Sequence, residues 1–448
     1  MDILDFLTFF IYTGIFYFIC LRLSKTCLPG HRKLFISAFW IKVFSSFCYS
    51  MFGLYIARGD SVDLYFPEGH NFYKLILKDI SNIYLVFQPT ENFDESLLMY
   101  EHNLGYLRAP NNYMVVRIQA LVSFLTFGRF MASQLVFSLL ALTGAWRLFL
   151  FFDEQFPSLK KQLAIAILFL PTFIFWSSGI LKDSICVGAL GWLTYSMYHL
   201  FYSKKNILLN LCIVLFAGFL LYSLKVYILV SYLPAIALYL ILLNVNLVKS
   251  KLLKALLAVL FVVVSIMSFV KIAATMKNTL GNFAPDGSVE SSIIKLQDSY
   301  KWQGGRDEAG SYFSLGVEFD GSVQSLLRMA PSAINATLFR PYLWESKKLS
   351  TLLSSLESLM LMLFTLLTLY KCGIKNFFLT IVNKPSVLFC ILFSLSFALF
   401  VGATTLNFGS LVRYKIPCMP FYVIAIFLIL HYNGKIKPKK GKALIKEG

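Results

Sequence analysis

Two acidic residues near the start of the sequence have a spacing that suits chemistry. Asp60 and Asp63 occur in "ARGDSVDLYFPEGH", directly after an apolar run that ends near residue 56. On a helical turn, acids three residues apart share a face, so the two carboxylates could hold a divalent cation together. One of them could instead act as a general base, with its pKa raised by the other. An ordinary solvated loop start with a helix cap explains the same pattern.

Three more charged residues stand at the borders of apolar runs in the middle of the chain. Lys182 and Asp183 occur in "FWSSGILKDSI", and Lys225 occurs in "YSLKVYI". Lys182 could contact a phosphate with Asp183 as its orienting partner, or the two residues could simply neutralise each other. Lys225 could also contact an anion, and snorkelling to lipid headgroups is the alternative for it.

The late part of the chain contributes a further set of candidates. "ATLFRPYLWES" contains Arg340, Trp344 and Glu345, and "NFGSLVRYKIPCMPF" contains Arg413 and Lys415. Arginine is suited to bidentate capture of a phosphate or carboxylate. A tryptophan beside it suits either a sugar face or an anchor in the aromatic belt of a membrane. The basic residues predict binding of an anion such as phosphate or pyrophosphate.

The elements that must position these residues are membrane helices. The chain is 58% hydrophobic and 14% charged, and apolar runs long enough to cross a bilayer recur along it. Because backbone groups in lipid must be satisfied within their own segment, and the runs lack strand alternation, the spans are helical. We predict an all-α, polytopic integral membrane helix bundle of about eleven transmembrane helices. The predicted spans are 4–22, 34–56, 130–152, 162–178, 182–202, 206–224, 226–244, 252–273, 351–371, 384–402 and 417–432.

The distribution of positive charge predicts the orientation of the chain. With these spans, the connections rich in Lys and Arg all fall on one side, which the positive-inside rule makes cytoplasmic. The N-terminus is then outside, the C-terminus inside, and the long loops 57–129 and 274–350 lie outside. Residues 113–127 are read as an interfacial helix in the first loop, with a short, tilted span as the alternative. We expect a single membrane domain, 1–448, with a basic cytoplasmic tail at 433–448.

Composition and missing motifs exclude several other classes. The net charge of +18 is carried mostly by connections between apolar runs and by the tail, where orientation signals and lipid headgroups explain it without nucleic acid. The eight cysteines offer neither a disulfide framework nor a CxxC motif. GxSxG, Walker A and HExxH sequences do not occur. No cofactor is certain from the sequence, and a divalent cation is an option that the basic residues could replace.

The same motifs carry a family resemblance. The order of "GDSVDLYFPEG", "LPTFIFWSSGILKDSI", "ATLFRPYLWES" and "NFGSLVRYKIPCMPF" resembles GT-C-type glycosyltransferases and O-antigen or exopolysaccharide polymerases of bacterial surface-polysaccharide assembly. That resemblance implies a polyprenyl-linked sugar substrate outside the cytoplasmic membrane. It also implies that Asp60 or Asp63 is the base or metal contact, and that Arg413 and Arg340 hold the lipid pyrophosphate. Here the acidic loop follows the second span, which is closer to the polymerase layout.

The functional prediction is therefore glycosyl transfer or polymerisation at the outer face of a bacterial cytoplasmic membrane. Asp60 or Asp63 would deprotonate the acceptor, and the basic residues would stabilise charge on the departing lipid phosphate. The expected partners are the lipid-linked sugar, membrane lipids and other members of a glycan assembly complex. A flippase or transporter of lipid-linked saccharides is the first alternative, and a non-enzymatic envelope scaffold is the second. The phosphate-binding candidates are Lys182, Asp183, Lys225, Arg340, Glu345, Arg413 and Lys415.

Overall fold

The computed structural model is helical throughout the part of the chain that it describes. That part comprises residues 2–28, 30–90, 96, 109–244, 256, 311–317, 323–346 and 348–436. No β-strand forms within these ranges, although an isolated bridge joins Tyr312 and Asn407. The predicted span 252–273 apart from residue 256, most of the second long loop and the end of the basic tail lie outside the described residues.

The helices of the first half are numbered α1 to α10. They are α1 (Ile3–Ser24), α2 (Arg32–Tyr55), α3 (Phe66–Lys78), α4 (Tyr84–Phe87), α5 (Pro110–Thr126), α6 (Phe130–Gln155), α7 (Lys160–Leu168), α8 (Pro171–Trp176), α9 (Lys182–Tyr198) and α10 (Ile207–Asn244). A π-helical turn, Ser61–Tyr65, leads directly into α3.

The second half contains six more described helices. They are α11 (Val323–Phe339), α12 (Leu349–Cys372), α13 (Ile374–Asn383), α14 (Pro385–Thr404), α15 (Phe408–Tyr414) and α16 (Met419–Tyr432).

Six of the described helices are long and apolar enough to cross a membrane, namely α1, α2, α6, α10, α12 and α14. The pair α15 and α16, bent by 62° at a short break, adds a seventh crossing if it is one span. These helices indicate a multi-pass membrane protein. The predicted spans 4–22, 34–56, 130–152, 351–371 and 384–402 each coincide with one of the long helices.

Three predicted spans differ from the expected arrangement of one separate helix for each span. Residues 162–178 divide into α7 and α8, because Pro171 lacks a backbone N–H and disfavours helical geometry at the residue before it. The predicted spans 206–224 and 226–244 both lie in α10, whose two helical stretches meet at a kink with non-helical backbone angles at Lys225 (φ −148°, ψ 75°). The kink lies at the predicted boundary, and the division of α10 into two membrane crossings stays a prediction.

The described chain divides into two compact units. The first contains residues 1–149, 173–193 and 213–225, and the second contains residues 150–172, 194–212 and 226–448. In the first unit, α1 packs on α2 and α3 packs on α5. The close approach of α6 to α9 depends on Gly144, where a Cβ atom would lie 2.0 Å from the carbonyl oxygen of Gly188. Gly191 has the same relation to the carbonyl of Gly144.

The second unit is organised around α14 and α16. The helix α14 packs on α11 and α16, and α12 also packs on α16. Gly402 permits the close contact with α11, since a Cβ atom there would lie 2.1 Å from the carbonyl oxygen of Ala333. Thr337 Oγ1 of α11 donates a hydrogen bond to the Ala398 carbonyl of α14 at 2.8 Å. Close backbone packing and one side-chain hydrogen bond thus hold α11 against α14.

Candidate functional site

The two predicted catalytic acids of the first loop lie beside and within the π-helical turn that precedes α3. Asp60 stands immediately before this turn and is half-buried, and Asp63 lies within it and is exposed. The Asp63 carboxylate forms an ion pair with Arg58, with 3.1 Å between Oδ1 and Nε. A cation at this position would therefore compete with the Arg58 guanidinium for Asp63.

A buried glutamine connects this acidic turn to the segment that precedes Lys182. Gln134 Nε2, from α6, donates to the Ser61 hydroxyl at 2.9 Å. Its Oε1 accepts a hydrogen bond from the backbone N–H of Ile180 at 2.5 Å. One amide thus uses both its donor and its acceptor to join the turn beside Asp60 to residues 177–181. The polar residue inside the apolar run 130–152 was the available sequence signal for this bridge.

Residues 177–181 form a tight turn between α8 and α9. The carbonyl oxygen of Gly179 accepts from the Leu181 N–H at 2.8 Å and from the Ser184 hydroxyl at 2.6 Å. A Cβ atom at Gly179 would lie 2.2 Å from a ring carbon of Tyr49, so the turn requires glycine for close contact with α2. This turn fixes the start of α9, where Lys182 and Asp183 lie.

Asp183 and Lys225 form a buried ion pair in the first unit. The distance from Asp183 Oδ1 to Lys225 Nζ is 2.5 Å, and both side chains are buried. Asp183 lies in the first turn of α9, where the helix dipole stabilises negative charge. Lys182, its neighbour, is half-buried. The structure thus pairs Asp183 with Lys225, two predicted site residues that the sequence analysis did not connect. The prediction that Asp183 orients Lys182 stays a prediction.

Lys42 is a buried charged residue that the sequence analysis did not single out. It lies in the middle of α2, and its Nζ is surrounded by oxygens of residues 174–178. The signal that could have found it is a lysine inside the apolar run 34–56, since charges within membrane helices are rare.

His70 of α3 lies in an aromatic environment in the first unit. Its ring stacks on Phe66 with 5.5 Å between centroids, and its Nδ1 is buried without a hydrogen-bond partner among the described residues. Burial lowers the pKa of the imidazole, and the positive charges of Lys74 and Arg129 lower it further, against a smaller opposing effect of Asp5. The environment of His70 favours the neutral ring.

In the second unit, Arg340 is held by a carboxylate and by aromatic rings. Its Nε lies 3.0 and 3.1 Å from the two carboxylate oxygens of Glu345, and its Nη2 also contacts Glu345. The guanidinium lies over the rings of Phe313 and Phe408, at 4.5 and 5.2 Å from their centroids. The Nη1 atom contacts the Ser314 carbonyl. These contacts hold the guanidinium in one orientation.

Lys415 is fully buried beside Arg340. Its Nζ donates to the Ser358 hydroxyl of α12 at 2.8 Å and to the backbone carbonyl of Arg340 at 3.1 Å. Arg413, two residues earlier in α15, is half-buried, with its guanidinium 5.7 Å from the ring centroid of Tyr414. Three predicted basic residues thus belong to the second unit, and two of them, Arg340 and Lys415, are in contact.

An exposed aromatic residue adjoins this basic group. The ring of Trp344 stacks on Tyr342 with 4.9 Å between centroids, and 80% of Trp344 is exposed. The Tyr342 hydroxyl accepts a hydrogen bond from Asn335 Nδ2 at 2.8 Å. A flat, supported ring of this kind can pack on a sugar face or on lipid.

Glu357 of α12 is a functional candidate that the sequence analysis missed. Its carboxylate accepts hydrogen bonds from the backbone N–H of Thr172, at 2.8 Å, and from the Thr172 hydroxyl. It lies next to Ser358, the partner of Lys415. A carboxylate inside the apolar run 351–371 was the sequence signal.

The predicted site residues fall into two groups. Asp60, Asp63, Lys182, Asp183 and Lys225 belong to the first unit, and Arg340, Glu345, Arg413 and Lys415 belong to the second. Their common site stays a prediction. Within the described ranges, no three His, Cys, Asp or Glu side chains are grouped as ligands for one metal ion.

Comparison with known proteins gives no matching family model, no matching curated protein and no matching solved structure.

Proposed function

We propose that this chain is a membrane glycosyltransferase or polymerase that uses a polyprenyl-phosphate- or pyrophosphate-linked saccharide. In this proposal it works at the outer face of a bacterial cytoplasmic membrane, in surface-polysaccharide assembly, with its N-terminus outside and its C-terminus in the cytoplasm. The observation that carries the proposal is the oriented guanidinium of Arg340, which contacts Glu345, lies over two aromatic rings and adjoins the supported, exposed ring of Trp344.

This arrangement supplies the two kinds of recognition that a lipid-linked sugar needs. Arginine and lysine both bind phosphate oxygens. The planar guanidinium of arginine can donate two parallel hydrogen bonds to a phosphate, which the ammonium of lysine cannot do. An aromatic face suits the apolar side of a sugar ring. The Lys415 ammonium donates a hydrogen bond to the backbone carbonyl of Arg340, which places these two basic residues side by side.

The proposed reaction assigns separate roles to the acids and to the basic residues. The acceptor oxygen bonds to the anomeric carbon, while the bond from that carbon to the lipid phosphate oxygen breaks and leaves its electron pair on the phosphate. Asp60 or Asp63 takes the acceptor proton as general base. Arg340, Arg413 and Lys415 stabilise the phosphate charge, and Lys182 is a further contact of this kind.

The test is deletion of the gene in its native host, followed by complementation and gel analysis of surface polysaccharide. We expect deletion to remove long glycan chains and to accumulate lipid-linked units. Asp60→Asn, Asp63→Asn and Arg413→Ala are the informative variants, and Lys33→Ala, an exposed residue of α2, is the control that restores wild-type glycan. Unchanged glycan after deletion would contradict the proposal and would favour a scaffold.

Transport of a lipid-linked saccharide is a second candidate, favoured by different observations. The ion pair of Asp183 with Lys225 is buried, Lys42 is buried within α2, and the helices are broken at residues 177–181 and at Lys225. Transporters use charged residues and interrupted helices inside the membrane. Lipid-linked units that accumulate on the cytoplasmic leaflet after deletion would support transport over glycosyl transfer.

A further inference from the structure

Lys42 lies where a membrane helix seldom carries charge. It occupies the middle of α2, one of the helices able to cross a membrane, and only 4% of the residue is exposed. A buried ammonium is costly unless neighbouring groups replace the water that it has lost. The groups that contact the Lys42 ammonium therefore indicate which kind of ligand this position can bind.

Four oxygens surround the Lys42 ammonium. Nζ lies 2.7 Å from the Ser177 carbonyl, 2.9 Å from the Ser177 hydroxyl, 2.9 Å from the Ser178 hydroxyl and 3.3 Å from the Ile174 carbonyl. All four are neutral oxygens, and no carboxylate of the described residues is among these hydrogen-bond partners. Two backbone carbonyls and two hydroxyls form a ligand set that suits a monovalent cation.

The local structure turns these oxygens toward the ammonium. The Ile174 carbonyl belongs to the last turn of α8, where carbonyls lack intrahelical backbone partners, and the Ser177 carbonyl follows directly after the end of that helix. The Ser177 hydroxyl donates to the Phe173 carbonyl at 2.5 Å, and the Ser178 hydroxyl donates to the Ile174 carbonyl at 2.7 Å. With their protons used in this way, both hydroxyls present lone pairs to Lys42.

We propose that residues 174–178 form a monovalent-cation site and that the Lys42 ammonium is the cation that fills it. The charge at this turn is then supplied by the chain itself, in place of a diffusible Na⁺ or K⁺. This inference is independent of the glycan reaction, because it concerns only the oxygens around Lys42 and the cation that they accept.

The experiment replaces the tethered cation by a free one. Full-length Lys42→Ala protein is purified in detergent, and its thermal unfolding midpoint is measured in NaCl, KCl or choline chloride at equal ionic strength. We expect the midpoint of Lys42→Ala to rise by several degrees, saturably, with Na⁺ or K⁺ but not with choline. The wild type and Lys33→Ala, an exposed lysine of the same helix, show no such difference between salts.

Two further variants separate cation binding from a general effect of salt. Lys42→Met keeps the space filled by an apolar chain, so we expect no selective response to Na⁺ or K⁺. Adding Ser177→Ala and Ser178→Ala to Lys42→Ala removes both hydroxyl ligands and abolishes the response. An equal response to all three salts overturns the proposal. Failure of Lys42→Ala to fold in Na⁺ and in K⁺ also overturns it, because a free cation would then be unable to replace the ammonium.

Discussion

Asp183 and Lys225 form a buried ion pair that links the first turn of α9 to the break in α10, with 2.5 Å between Oδ1 and Nζ. Both charges are separated from water, and their attraction offsets part of the cost of burying them. The dipole at the start of α9 adds to the stabilisation of Asp183. This ion pair therefore helps to hold the break in α10 beside the start of α9.

Removing one partner of this pair is expected to be more harmful than removing both. Asp183→Asn or Lys225→Met alone leaves the other charge buried without its ion-pair partner, a change that costs about 3–5 kcal/mol. The double variant leaves no charge, so its loss of stability should be smaller than the sum of the two single losses. Unfolding of the four proteins in one detergent measures this coupling. Additive losses would show that the two charges are stabilised by other groups.

Gly179 is expected to tolerate no side chain. A Cβ atom there would meet the Tyr49 ring at 2.2 Å, so Gly179→Ala forces the turn away from α2. We expect a loss of about 1–3 kcal/mol, the usual cost of overpacking. Thermal unfolding measures it, and Tyr49→Leu should recover part of the loss in the double variant. Gly218→Ala is the control, because nothing lies within 4 Å of a Cβ atom at that position.

The sequence predicts the helical class and many boundaries because apolar length and helix breakers are local properties. Pro171 is a local signal that was visible in the sequence, but the break that it causes was not predicted. The residues predicted as one span, 162–178, form the two helices α7 and α8. At Lys225, in contrast, the predicted boundary between two spans coincides with the residue that has non-helical backbone angles.

Side-chain partners were not predictable in the same way. Asp183 and Lys225 are separated by 42 positions, and nothing in either motif indicates the other. Gln134 and Lys42 were visible only as polar residues inside apolar runs, and their roles depend on how α2, α6 and the turn 177–181 pack. Such contacts are set by tertiary packing, which cannot be read from the local pattern of a single sequence.

The neutral state of His70 gives the first unit a pH dependence. Because burial and the neighbouring positive charges lower its pKa in the folded protein, protonation is easier in the unfolded chain. The contribution of His70 to stability is therefore present above the unfolded pKa, about 6.5, and is lost as pH falls through the lower folded value. We expect the unfolding midpoint to decrease between about pH 7.5 and 5, and His70→Phe to flatten that decrease. An identical slope in the variant would assign the effect to other groups.

Arg340 is expected to be irreplaceable by lysine. Its guanidinium uses several N–H groups at once, toward Glu345 and the Ser314 carbonyl, and a lysine ammonium cannot reproduce this planar fork. If Arg340 orients the lipid phosphate, Arg340→Lys and Arg340→Gln should both reduce glycan chain extension, by about tenfold or more, as expected for loss of hydrogen bonds from a charged group. The measurement is the chain-length distribution of surface glycan at matched protein levels. Arg328→Gln changes an exposed arginine of α11 and should leave the distribution unchanged. Full activity of Arg340→Lys would reduce the role of this residue to positive charge alone, and full activity of Arg340→Gln would remove it from the site.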